Sequence, residues 1–275
     1  MIDFGLLNQI LDQFQLATRS WYANIYPYSL RLVFFLAAIE LAWCGLRLAI
    51  DRETGLPHFF NVYLRKLIYL SFVAGLVAFA NYWMPLVPSS FAAIAARMTG
   101  IGALHPSSFF STGIQLALTT MTIGEVTGVL VHPLSAVVTL VVSIGVFAAF
   151  TVMAGALLYA LVESYILLGG CAIFLPFAAT RWTYHLAESY FATVVRVGVR
   201  LLLIYLVTGV IASLATSWAT ALIMSSAAPP LSLQLAFIGA VWVAAVLVLT
   251  LPRALSHALI PASLHLGLNP AIGDN

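Results

Sequence analysis

Leu7, Ile10, Leu11, Phe14, Thr18 and Trp21 recur at helical spacing near the start of the chain, while Asp12, Gln13, Gln15 and Arg19 fall on the other faces. That pattern predicts an amphipathic helix of about five turns lying on or standing off a membrane surface. Beyond it, charge disappears over long stretches. Uncharged runs extend from Leu67 to Ala96, from Pro133 to Val162 and from Leu201 to Pro252. Each exceeds the roughly 20 apolar residues that cross a 30 Å hydrocarbon layer. The pattern predicts an all-α polytopic membrane protein of about five transmembrane helices.

A first span is expected from Tyr28 to Ile50 and a second from Leu67 to Trp83. The apolar block from Leu134 to Thr180 holds 47 residues, and as one helix at 1.5 Å per residue it would be about 70 Å long. One crossing followed by a re-entrant or bent half-helix accommodates it. The last two spans, Leu201 to Met224 and Leu231 to Leu251, flank the AAPP break at Ala227 to Pro230, which the prolines keep from being helical. The expected organisation is an amphipathic periplasmic helix over 1–27, two spans with a cytoplasmic loop over 28–84, a periplasmic segment over 85–133, a core transmembrane block over 134–252 and a cytoplasmic tail over 253–275.

Composition bears this out: 63% of the 275 residues are hydrophobic, and Lys+Arg number only 11 against 9 Asp+Glu. A soluble globular domain, in which about a quarter of residues are charged, is excluded. A net charge of +2 without a basic cluster gives no nucleic-acid-binding surface. The start lacks the basic region of a signal peptide, so no cleavage is expected. The placement of basic residues sets the orientation. With five crossings Arg47, Arg52, Arg65, Lys66, Arg181, Arg196, Arg200 and Arg253 fall inside, against Arg19, Arg31 and Arg97 outside. That distribution predicts a periplasmic N-terminus and a cytoplasmic C-terminus.

Few residues carry candidate chemistry. Glu40 falls near the middle of the first span, where an acid costs about 2.5 kcal/mol or more and faces protein or a water-filled space. Glu163 divides the long apolar block. Both are candidate lumen or interhelical residues. Gly169, Gly170 and Pro176 are the candidate hinge for the bend. Arg196 and Arg200 share a helix face at the cytoplasmic end where the chain enters the fourth span. Leu7, Ile10 and Phe14 form an apolar face suited to an oligomer contact. Gly124 to Gly128 makes a GxxxG, and Trp83, Trp182 and Trp218 sit at expected span ends. Cys44 and Cys171 read as buried thiols within spans. The histidines lack metal-site spacing, and neither GxxxxGK[ST], HExxH nor GxSxG occurs. Neither a metal, a cofactor nor an enzymatic activity is expected.

The stretch ALVESYILLGGCAIFLPFAATRW at Ala160 to Trp182, with the TYHLAESYFATVVRVGVRLLLIYLVTGVI that follows, resembles the central block of the TrbL family. Its pattern is Glu163 in an apolar helix, the glycine step at Gly169 and Gly170, the exit at Leu175, Pro176 and Phe177, then Thr180 and Arg181. Gly198, Val199, Arg200 and Leu201 lead into the next span. These proteins are polytopic inner-membrane subunits of type IV secretion systems, which serve conjugation. The resemblance implies a bacterial inner-membrane location and a ring oligomer, a pentamer on the family pattern, that supports DNA transfer and pilus biogenesis. It also implies contacts with a minor pilin, a bitopic inner-membrane subunit and an assembly ATPase, and single-stranded DNA in transit. A ring of ionised Glu40 would repel that polyanion, so Glu40 is expected to face protein or carry a proton. The alternative is a permease subunit of a small-molecule transporter, marked by intramembrane charges and broken helices.

Overall fold

A computed structural model describes residues 5–50, 56–83, 85–100, 105–123, 133–224 and 231–259. Among them every regular element is helical: α1 (Leu6–Ile50), α2 (Leu56–Ala78), α3 (Ala80–Trp83), α4 (Leu86–Thr99), α5 (Pro106–Ile123), α6 (Pro133–Gly169), α7 (Cys171–Phe174), α8 (Tyr184–Met224) and α9 (Leu231–Leu259), with a 3₁₀ turn at Leu175–Ala179. Among the described residues five stretches are long and apolar enough to cross a membrane: Leu6–Arg47, Phe60–Ala78, Ala136–Ala179, Tyr184–Trp218 and Ser232–Leu259. The polytopic, all-helical reading of the sequence therefore stands. The expected AAPP break, the GxxxG at Gly124 to Gly128 and the tail beyond Leu259 lie outside the described residues.

The chain divides into two compact units, one of Met1–Gln13, Pro88–Glu163 and Gly198–Ser256, the other of Phe14–Val87, Ser164–Val197 and His257–Asn275. In the first, α6 is apolar all round, as a membrane-crossing helix is when one side packs on neighbours and the other, here Val137, Val141 and Ile144, is left exposed to lipid. Phe109 and Phe150 meet at 5.4 Å and Phe110 and Phe147 at 5.6 Å, while Thr120 and Ser143 share a hydrogen bond of 2.9 Å. The descending numbers on α6 show that α5 runs antiparallel to it. Thr139 donates to Gln234 at 3.3 Å, and a Cβ at Gly145 would collide with Ile238, which makes α9 parallel to α6. Lipid tails are as apolar as leucine, so these contacts rest on close packing and interhelical hydrogen bonds rather than on expulsion of water. Gly113 shows the closeness: a Cβ there would overlap Phe150.

One expectation changes in shape. The amphipathic helix and the first span are one continuous helix, with Pro27 inside it. Thr18, Tyr22, Ser29, Val33, Glu40 and Cys44 are all buried on α1, in steps that repeat every eleven residues and so keep one stripe inward on either side of the proline. Packing of that stripe holds the helix together where Pro27 removes a hydrogen bond. The described part of the segment over 85–133 holds α4 and α5, and α5 lies along α6 because Phe109, Leu116 and Thr120 give it a buried face.

Candidate functional site

In the second unit α1 and α2 place opposite charges face to face. Glu40 belongs to the buried stripe of α1, and Lys66 lies in register with the buried Leu70, Val73 and Val77 of α2. Lys66 Nζ donates to Glu40 Oε1 at 2.6 Å, with the two side chains 20% and 3% exposed. Glu40 Oε2 has no hydrogen-bond partner among the described residues. The sequence pointed to Lys66 as a residue of the cytoplasmic turn, yet it sits ten residues into α2. The reason is that a carboxylate excluded from lipid takes the nearest cation that can snorkel to it.

The first unit carries the second pair. Arg200 Nη1 donates to Glu163 Oε2 at 2.6 Å, with exposures of 13% and 27%, and the guanidinium lies 5.3 Å above the ring of Tyr159. Glu163 does not end α6, which continues to Gly169. The structure thus joins two residues that sequence spacing had kept apart, and adds Tyr159. That ring lies one helical turn before Glu163, the i, i+4 relation in which side chains share a face; this was the available signal. Arg196 sits one turn before Arg200 on α8 and is half-buried. Because this pair retains some access to water and Arg200 keeps the Tyr159 ring, Glu163→Gln is expected to cost only about 1 kcal/mol, measurable as a small drop in the thermal unfolding temperature of the purified protein.

The helix break follows α6 in the second unit. Gly170 caps α7 at φ −67° and ψ −13°, an ordinary helical conformation, so the glycines are needed here for space rather than for left-handed backbone. A Cβ at Gly169 would come within 2.5 Å of Thr18 Cγ2, so this glycine lets α1 approach. Pro176 is buried in the first turn of the 3₁₀ segment, where a missing N–H leaves nothing unsatisfied. A broken helix frees carbonyls that lipid cannot hydrogen-bond. Tyrosines supply the donors: Tyr190 to Leu167 at 2.7 Å and Tyr69 to Ala178 at 2.9 Å, while Thr183 donates to Phe177 at 2.8 Å. Sequence reasoning missed these hydroxyls, whose only trace is the occurrence of tyrosine inside apolar runs.

Beside Gly169 lies a cavity of about 680 Å³ lined among others by Gln15, Arg19, Tyr22, Tyr26, Tyr82 and Tyr165. Tyr22 already donates to the Val77 carbonyl at 2.9 Å. Of the candidate oligomer face, Leu7 is packed against the hydrophobic core of the first unit, whereas Ile10 and Phe14 are exposed. Cys44 and Cys171 are free and buried, and among the described residues no group of His, Cys, Asp and Glu is arranged to hold a metal ion.

A family model described as TrbL/VirB6 plasmid conjugal transfer protein matches residues 37–251. The match covers both charge pairs and the helix break, and it begins after Leu7, Ile10 and Phe14. No curated protein matches the chain.

Proposed function

We propose a scaffolding role in a conjugative secretion machine for this chain, which belongs to the family of TrbL/VirB6 plasmid conjugal transfer proteins. The observation that carries the reading is the family match across residues 37–251, a region holding three of the candidate spans whole, most of the last and the end of the first. The protein is read as a subunit of an inner-membrane platform, with its N-terminus in the periplasm and its C-terminus in the cytoplasm. Several copies form a ring, a pentamer on the family pattern, on which a minor pilin, a bitopic subunit and an assembly ATPase act. The energy comes from the ATPase, because the sequence has no nucleotide-binding loop of its own.

The chemistry of the charge pairs supports a passive role. Glu40 and Glu163 each engage a cation, so neither contributes an uncompensated negative charge to a path for a polyanion. With Glu40 3% exposed, its carboxylate faces protein. Any route for single-stranded DNA then lies between copies, where no carboxylate of these pairs repels it.

Ring assembly is testable through the exposed part of the N-terminal face. Ile10→Ser with Phe14→Ser removes apolar surface that a lone chain leaves uncovered, and it spares Leu7, whose loss would disturb the core. The double variant should insert normally, migrate as smaller species by mass measurement in detergent, and lose plasmid transfer in a complementation assay. An unchanged ring mass removes the N-terminal helix from the contact and leaves it as an interfacial helix. A wild-type protein that is monomeric in native membranes overturns the platform reading.

A further inference from the structure

A second, smaller cavity of about 220 Å³ lies within the first unit, lined among others by Gly155, Tyr159, Arg200, Val248, Pro252 and Arg253. Its polar groups are mostly donors. Arg200 gives Nη1 to Glu163, and its Nε is buried without a hydrogen-bond acceptor among the described residues. A buried guanidinium N–H left without an acceptor is unfavourable and calls for one. Arg253, an exposed side chain of α9, also lines the cavity, so the lining holds two arginines, of which only Arg200 is paired with a carboxylate, that of Glu163. Pro252 lies inside α9 and has no N–H to give to the carbonyl of Val248, which loses its usual helical donor. The site therefore has room for one negative charge and for one hydroxyl that could donate to that carbonyl.

Position narrows the ligand. The uncharged run of α6 ends at Glu163, that of α8 begins after Arg200 and that of α9 ends before Arg253. Within this unit the cavity lies where apolar helix faces give way to charge, which is the depth of lipid headgroups. The remaining lining, including Ala156, Ile204 and Leu249, is apolar. We propose that this cavity binds the headgroup of an anionic glycerophospholipid from the surrounding membrane, its phosphate held by Arg200 and Arg253 and a headgroup hydroxyl directed at the Val248 carbonyl. Guanidinium forks suit phosphate oxygens geometrically, and a phosphodiester monoanion balances the one surplus positive charge. Free phosphate offers the same oxygens but has no apolar portion for the rest of the wall.

The full-length protein in detergent, titrated with phosphatidylglycerol or phosphatidylcholine and followed by native mass spectrometry, tests this. Wild-type protein should retain phosphatidylglycerol at least about tenfold more strongly than phosphatidylcholine. Arg253→Gln should remove most of that preference, whereas Arg97→Gln, an exposed arginine on α4 away from the cavity, should keep it. Gly155→Leu supplies a second variant. Gly155 lines the cavity and a Cβ there meets nothing within 4 Å, so a leucine enters open space at the cavity without a clash at its first atom, and it too should abolish retention. Millimolar inorganic phosphate should not displace the lipid. Equal retention by wild type, Arg253→Gln and Gly155→Leu overturns the proposal, as does an absence of headgroup preference. Displacement by phosphate alone identifies a small-anion site and overturns the lipid assignment.

Discussion

Lys66→Met is expected to destabilise the protein by about 4 kcal/mol, the largest effect of any single change discussed, because it leaves Glu40 as a buried charge without a counter-ion. Glu40 is 3% exposed and its second oxygen has no other hydrogen-bond partner among the described residues. Neither water nor a neighbouring side chain can take over from the ammonium. The double variant Glu40→Gln with Lys66→Met removes both charges and should return to within about 1 kcal/mol of wild type. Thermal unfolding of the purified single and double variants measures this. Equal losses in the two variants would mean that the pair matters through packing alone.

Phe150→Ala should cost about 3 kcal/mol. Phe150 is fully buried at the crossing of α5 and α6, against the ring of Phe109 and the backbone at Gly113. Lipid solvates a phenylalanine side chain well, so the transfer contribution that dominates in water is small here. What remains is the dispersion lost around an empty space that the rigid neighbours cannot close. The value is accordingly near the lower end for large-to-small core changes. Because Phe150→Ala keeps its Cβ, and a Cβ at Gly113 would lie 2.4 Å from it, adding Gly113→Ala should deepen the loss; thermal unfolding of the pair checks it. A double variant as stable as Phe150→Ala would show that α5 shifts away from α6.

The two charge pairs share a separation of 2.6 Å but differ in burial, and burial decides their roles. Glu40 and Lys66 lock α1 to α2. Glu163 and Arg200 are partly accessible, and Arg200 also lines a cavity, so the guanidinium keeps donor capacity for something else.

The sequence by itself determined the class, the family and the approximate spans, because a lipid environment leaves a chain few choices. Apolar runs of sufficient length become helices when every backbone group must be satisfied internally. The length of the Leu134 to Thr180 block was likewise enough to require a break, and Gly169, Gly170 and Pro176 lie at the one observed. What only the tertiary structure decided is which stripes face one another. Lys66 reaches Glu40 across 26 residues and Arg200 reaches Glu163 across 37, a register that spacing within one helix cannot express. Tyr69 and Tyr190 serve carbonyls of a segment 109 and 23 residues away. Leu7, Ile10 and Phe14 are alike in periodicity, yet only Leu7 is covered. Periodicity defines a helix face, but the neighbour that covers it is set by how helices cross, and that geometry arises from contacts distant in the chain.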